Sequence, residues 1–255
     1  MARVNLEVSA GIAWLTLNRP AVLNALDRAS VREFAARLRE LAGREDVRVV
    51  VTRGAGRAFC AGSDLRDLAP LSPAEATDAE REHAATFALL DALPWPTIAM
   101  LHGYVLGGGL GLALYHDFRI AAASTTLGMP EVELGWTPPW AMGRLVDVVG
   151  GASARWLAMA GERISADDAR AIGLVNQTVP DDRLAERVEA FARRLAAMPP
   201  EGLRQTKALI NRMSPRRAAE WDEAAARAFE VCWGRPEARA NVERFLARRR
   251  TPERE

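Results

Sequence analysis

A chain of 255 residues with a single lysine, Lys207, among its 34 basic residues is defined first by what it lacks. Every other cation is an arginine, so phosphate recognition here rests on guanidinium and backbone N–H groups. A formal net charge of +1 supplies no field that would gather nucleic acid. Cys60 and Cys232 are too few and too far apart for a disulfide framework or a C-x-x-C metal clip, and no metal site is expected. No apolar run approaches the roughly 20 residues that span a bilayer. The opening Met1-Ala2-Arg3-Val4-Asn5 lacks the charged-then-apolar layout of a secretion signal. The expectation is a cytoplasmic protein with neither a nucleic-acid nor a membrane partner.

What is present is ordinary for a globular chain: 49% apolar and 26% charged residues, enough to bury a sizeable core. Val4–Val8 and Ile12–Leu17 flank Ala10-Gly11 as a hairpin would. Asp27 stands where a helix cap belongs, ahead of Val31, Phe34, Leu38 and Leu41 on one face. Val47–Thr52 is a β-branched run of the kind buried on both faces of a sheet. A helix over Pro73–Leu90, a strand over Thr97–Leu101, a glycine-rich helix start and a strand over Phe118–Ala121 follow. That alternation predicts an α/β layout with mostly parallel pairing. After Pro199-Pro200 the character changes to three amphipathic helices (201–211, 216–231 and 236–249). The Pro pair therefore divides an α/β core, 1–199, from a helical region, 200–255.

Four segments carry the chemistry. Leu17-Asn18-Arg19-Pro20-Ala21-Val22-Leu23-Asn24 joins a strand to a helix and, alone, reads as turn residues. Gly54–Arg66 is rich in small residues, and Gly62 permits a turn that aims the Ser63 N–H into a pocket. The Ser63 hydroxyl is not in a G-x-S-x-G elbow and reads as a cap or turn group. Cys60 reads as a packed residue. His102–Leu114 runs a strand into Gly107-Gly108-Gly109, where unpaired N–H groups and the positive dipole end suit an oxyanion or phosphate. Leu112 at the third fingerprint position weakens a dinucleotide reading. In Leu127–Trp140, Glu131 follows Pro130 and precedes Trp136 and Trp140. It is either a surface carboxylate after a turn or a desolvated base.

In this order and spacing the four segments resemble the crotonase (enoyl-CoA hydratase/isomerase) superfamily, and the resemblance extends to Phe245-Leu246-Ala247-Arg248-Arg249. It implies a crotonase-like spiral of ββα units with C-terminal helices that pack in trimers, often paired into hexamers. It also implies an acyl-coenzyme A substrate, with no cofactor beyond that substrate's own coenzyme A. The N–H groups of Ser63 and Gly108 match the family's oxyanion hole, with Gly107 and Pro130 beside it. Ala61, Asp64, Leu65 and Arg66 match the stretch lining the adenine and pantetheine path. Ala21, Val22 and Leu23 match another coenzyme A contact. The family often has Lys at the position of Ala21, a role that Arg19 would have to fill here. Phe245 and the arginines after it would close over the coenzyme A.

Hydratases of the family commonly place one glutamate in the helix after the glycines and another after the Met-Pro. Glu131 matches the second; Gly111 occupies the first. With one carboxylate, a proton shuttle between two carbons of the acyl chain is the expected reaction, and hydration with a substitute group is the alternative. Glu133, Asp64, His116 and Asp117 are candidates for that substitute, each with a structural role as the simpler reading. Gly111 itself either packs against a neighbour or enlarges an acyl pocket whose other wall is Trp136 and Trp140. A weakly catalytic coenzyme A-binding or RNA-associated paralogue is a third reading, which the single lysine disfavours.

Overall fold

Alternating apolar residues around Ala10-Gly11 form the expected hairpin, β1 (Val4–Ser9) antiparallel to β2 (Ile12–Leu17). The computed structural model describes residues 2–214 and 219–248. Asp27 caps α1 (Arg28–Ala42): its carboxylate accepts from Ser30 N at 2.8 Å, while its own N–H donates to Ser30 Oγ at 3.1 Å. The β-branched run becomes β3 (Val49–Gly54), two residues later than its sequence suggested. It lies parallel to β2 and to β4 (Thr97–Leu101), and β4 continues the sheet to β6 (Phe118–Ala122) and β9 (Gln177–Val179). The order β1-β2-β3-β4-β6-β9 makes one six-stranded sheet.

Both faces of that sheet are covered, which is why β3 carries no alternation. Val49 and Val51 join Ile98 and Ile120 under Leu184, Val188, Phe191 and Leu195 of a helix over Leu184–Ala196. Val50, Ala99 and Ala121 face the other way, into the main core with Phe34 and Leu38 of α1 and with Phe87 and Leu90 of the helix Pro73–Ala92. A second, three-stranded sheet joins β5 (Tyr104–Leu106), β7 (Thr126–Gly128) and β8 (Arg163–Ser165). It escaped the sequence reading because three-residue strands show no period.

The helices between and after the strands are α2 (Leu65–Leu68), α3 (Pro73–Ala92), α4 (Gly108–Leu114), α5 (Met142–Ala158), α6 (Ala166–Ala171) and α7 (Leu184–Ala196). α8 (Pro200–Met213), α9 (Ala219–Trp233) and α10 (Pro236–Arg248) follow, with no strand after 200 among the described residues. Positions 216–218 of the expected second C-terminal helix, and Arg249, lie outside the described residues. The lone lysine ties α8 to the core. Lys207 Nζ donates to Leu90 O and Trp95 O at 3.0 Å each and lies 2.9 Å from Asp117 Oδ2. No helix among the described residues is long and apolar enough to cross a membrane.

Candidate active site

Three extended segments run side by side in one direction: the stretch at Cys60, β5 and β7, with Cys60 bridged to Val105 and β5 parallel to β7. Ser63, Gly107-Gly108 and Glu131 all follow directly from their carboxyl ends. Open α/β structures place ligand sites at that edge.

Two backbone donors are free there. Ser63 forms a parallel bridge with Leu26, but the bonds of that bridge are made by its neighbours: Leu26 N to Gly62 O and Asp64 N to Leu26 O, 2.8 Å each. The Ser63 N–H therefore points to the opposite side. Gly108 is the first residue of α4, where an N–H has no acceptor within the helix. The two meet closely, since a Cβ on Gly108 would fall 3.4 Å from Ser63 N and 3.3 Å from Ser63 Oγ. Gly107 is obligatory, with φ +53° and ψ −125°. Its N–H is held by Gly128 O at 2.9 Å, and its carbonyl accepts from Gly111 N at 2.9 Å, which fixes the helix start.

Glu131 reaches the same point. Pro130 opens a short 3-10 turn, Pro130–Leu134, whose second residue is Glu131. A Cβ on Gly107 would lie 3.0 Å from Glu131 Oε1, so the carboxylate sits against the backbone next to the Gly108 donor. Glu131 is 9% exposed, and its Oε2 is buried with no hydrogen-bond partner among the described residues. Burial, with the charge of Glu80 as a lesser cause, weakens it as an acid and pushes its pKa up to about 8, against a lowering by its own backbone N–H. Of the two readings of Glu131, the surface carboxylate is excluded: the carboxyl is desolvated.

The space beside Gly111 is filled. A Cβ there would fall 2.8 Å from Trp140 Cη2, and nearer still to Cζ3. The packing reading of Gly111 replaces the enlarged-pocket reading, and Trp140 is its neighbour rather than a distant wall. Trp136 stands elsewhere, packed edge-on to Trp233 at 5.0 Å and to Phe229 at 6.4 Å between ring centroids.

Behind Trp140 lies a carboxylate that the sequence reading passed over. Glu80 of α3 is 1% exposed; its Oε2 accepts from Trp140 Nε1–H at 2.7 Å and lies 3.0 Å from His83 Nδ1. Burial opposes its ionisation, but the His83 charge and hydrogen bonds from His83, Trp140 and the Ser63 hydroxyl outweigh it, and the proton affinity of Glu80 is lowered. His83 is also 1% exposed, and its Nε2 has no partner among the described residues. The only signal in sequence was Glu80 and His83 three apart on one helix face, a spacing common on any charged helix.

The other candidates for a second acid–base group are engaged structurally. Glu133 holds Arg163 at 2.7 and 2.8 Å. Asp64 caps α2 through Arg66 N at 3.1 Å and accepts from Arg19 Nη2 at 2.9 Å. His116 lies between Leu112 O and Thr52 Oγ1, and burial lowers its basicity to about 4. Asp117 accepts from Thr97 N and Oγ1 at 2.7 and 2.9 Å. Burial pushes the Cys60 thiol up to about 12, leaving it inert.

The residues expected to meet coenzyme A are brought side by side. Ala21 and Val22 lie in a 3-10 turn, Pro20–Val22, closed by Leu23 in the left-handed region. Ala61 N donates to Leu23 O at 3.0 Å, and Leu65 and Arg66 open α2 just beyond. The Arg19 guanidinium bonds Ala25 O and Asp64 and lies 3.2 Å from Asp27. Phe245 is on α10, half-buried. That helix packs over α2 and the Glu131 turn, with Asn241 Nδ2 donating to Leu134 O at 3.1 Å and Leu246 against the Leu68–Trp136 cluster.

Comparison with known proteins supplies the family and the fold. The family model for enoyl-CoA hydratase/isomerase matches residues 7–253. A putative enoyl-CoA hydratase/isomerase of Bacillus subtilis is 34% identical over 94% of this chain and 93% of its own length. A probable enoyl-CoA hydratase of Mycobacterium bovis is 37% identical over 79% of this chain and 78% of its own. The crystal structure of an enoyl-CoA hydratase/isomerase from Xanthobacter autotrophicus superposes with a TM-score of 0.89 at 31% identity, covering 97% of this chain and 93% of that one.

Proposed function

The chain belongs to the enoyl-CoA hydratase/isomerase family, and on that premise we propose that it binds an acyl-coenzyme A thioester and forms an enolate from it. The Ser63 and Gly108 N–H groups receive the thioester oxygen. The α-proton of a thioester is weakly acidic, and negative charge collects on that oxygen as the proton leaves. Two aimed donors in a water-poor pocket favour the charged state, each by roughly 3 kcal/mol. Glu131 takes the proton. The observation that carries this reading is Glu131 Oε2: buried, without a partner among the described residues, and one residue's breadth from the Gly108 donor.

The preferred reaction is isomerisation. Glu131 removes a proton from C2 of a 3-enoyl thioester and returns it at C4, giving the conjugated 2-enoyl thioester. One carboxylate suffices for both steps. A specific observation favours a second reading, hydration: Glu80 and His83 are buried together, with Glu80 bonded to the Trp140 N–H and the Ser63 hydroxyl. Incubation with 3-enoyl-CoA and 2-enoyl-CoA of equal chain length separates them. Conjugated thioester formed from the first, faster than 3-hydroxyacyl-CoA from the second, supports isomerisation. The reverse order of rates contradicts it.

The same reading extends to the coenzyme A moiety and to assembly. Ala21–Leu23 and Ala61–Arg66 form a joined surface along which the adenine and pantetheine would lie, with Phe245 above. Trp156 and Met159 on one surface, and Leu209, Ile210 and Met213 on α8, are large apolar side chains at least half exposed. A homotrimer, alone or paired as a hexamer, would cover such groups.

A further inference from the structure

Adding water to a 2-enoyl thioester needs a group that takes a proton from water and another that gives one to the α-carbon. Hydratases of the family commonly carry a glutamate at the position held here by Gly111, and Trp140 closes that position to a side chain. The ring that closes it, however, carries its N–H to Glu80, and Glu80 carries His83.

The tautomer of His83 follows from its partner. Glu80 receives donors from Trp140 Nε1 and the Ser63 hydroxyl, so it is an ionised acceptor-only carboxylate. His83 Nδ1 must then carry the hydrogen that lies between them, so that whenever the ring is neutral its lone pair is on Nε2. That atom is buried and has no partner among the described residues. Phe87 and Trp140 flank the ring at 6.4 and 6.3 Å between centroids. Such an arrangement, an imidazole fixed by a buried carboxylate with its far nitrogen open, is that of an oriented general base. Glu131 Oε2 is open in the same way, and Glu80 acts on both groups: it bonds His83, and its charge reaches Glu131.

We propose that His83, oriented by Glu80, is the second acid–base group of this pocket, doing from α3 what residue 111 cannot. The assignment rests on the enolate reading above. In the hydration step an O–H bond of water breaks and its proton passes to His83 Nε2, while the oxygen bonds C3. The π pair of the C2–C3 double bond moves to the carbonyl oxygen, held by the N–H groups of Ser63 and Gly108. C2 then takes the proton of Glu131, which is the donor because it stays protonated to about pH 8. Proton exchange with solvent resets both side chains. Glu80 is a positioning residue in this scheme, and His83 Nε2 is the atom that touches water.

The test compares two rates on one preparation. Hydration of a short 2-enoyl-CoA and isomerisation of the matching 3-enoyl-CoA are measured for the whole protein, its His83→Gln variant and its Glu80→Gln variant. The ratio of the two rates is independent of the folded fraction, so a poorly folding variant still reports. His83→Gln is expected to cut hydration by about 100-fold or more while isomerisation stays within a few-fold. Glu80→Gln, which frees the ring to take the wrong tautomer, is expected to lower the same ratio, with recovery in Glu80→Asp. Loss of both activities in equal proportion in His83→Gln marks a structural residue and overturns the assignment. So does a wild-type protein that exchanges the α-proton of a bound acyl-CoA with solvent deuterium but never adds water. A protein that exchanges no α-proton fails earlier, at the enolate reading.

Discussion

At the scale of single residues, the behaviour of Glu131 gives two predictions of opposite sign. As a base it works ionised, so isomerisation at saturating substrate rises with pH and levels off above about 8, the value to which burial pushes this carboxyl. Below it the rate falls about tenfold per pH unit. Stability runs the other way. The folded carboxyl keeps its proton up to about 8, whereas the unfolded one releases it near 4.5. Between those values the folded state binds more protons, so stability falls as pH rises, by up to about 1.4 kcal/mol per unit. Glu131→Gln should therefore melt higher than the wild type at pH 8.5 and show no such gain at pH 4, as thermal denaturation at the two pH values would reveal. Equal melting temperatures at pH 8.5 would mean that the carboxylate is not desolvated. The position of this carboxyl was legible from Pro130 and the apolar stretch after it. Its burial was not, because what desolvates it is the backbone of Gly107, distant in sequence.

At the scale of elements, α4 and Trp140 decide what residue 111 can be. An alanine in a helix interior is favoured over glycine by about 1 kcal/mol. A methyl at 111 would meet the Trp140 ring closer than carbon atoms pack, and such overpacking costs roughly 1–3 kcal/mol. Packing wins, so Gly111→Ala should lower the midpoint of urea unfolding, and Gly111→Glu should lower it further without raising the rate of hydration. A rise in the midpoint for Gly111→Ala would show that Trp140 moves aside freely. Lys207 is the corresponding test for α8. Lys207→Met leaves Asp117 without its cation and two buried carbonyls without a donor. A loss of about 3 kcal/mol is expected, measured by the same unfolding midpoint. The caps and long strands of these elements were legible because their signals are local: Asp27 before an amphipathic run, or a β-branched stretch between turns. The Gly111–Trp140 contact was not, since nothing in the sequence says which of two indoles fills a missing side chain.

For the whole molecule, the same division holds. The ordered set of loops around Ser63, Gly108 and Glu131 identified the architecture, because bringing two backbone N–H groups together constrains glycines and strand ends along most of the chain. The Glu80–His83 pair was hidden, because its meaning depends on three elements meeting around Trp140. Exposed apolar side chains on α8 and near Met159 predict association in solution. Sedimentation should give a mass of three or six chains, and Met213→Glu with Ile210→Glu should shift it towards the 27.8 kDa single chain; an unshifted mass would place the interface elsewhere. The central claim concerns what the folded pocket does to a thioester, and solvent deuterium reads it directly. Wild-type protein with a bound acyl-CoA in deuterated water should place deuterium at the α-carbon, and Glu131→Gln, binding the same thioester with similar affinity, should not. No label with the wild type, or undiminished label with Glu131→Gln, would contradict the account.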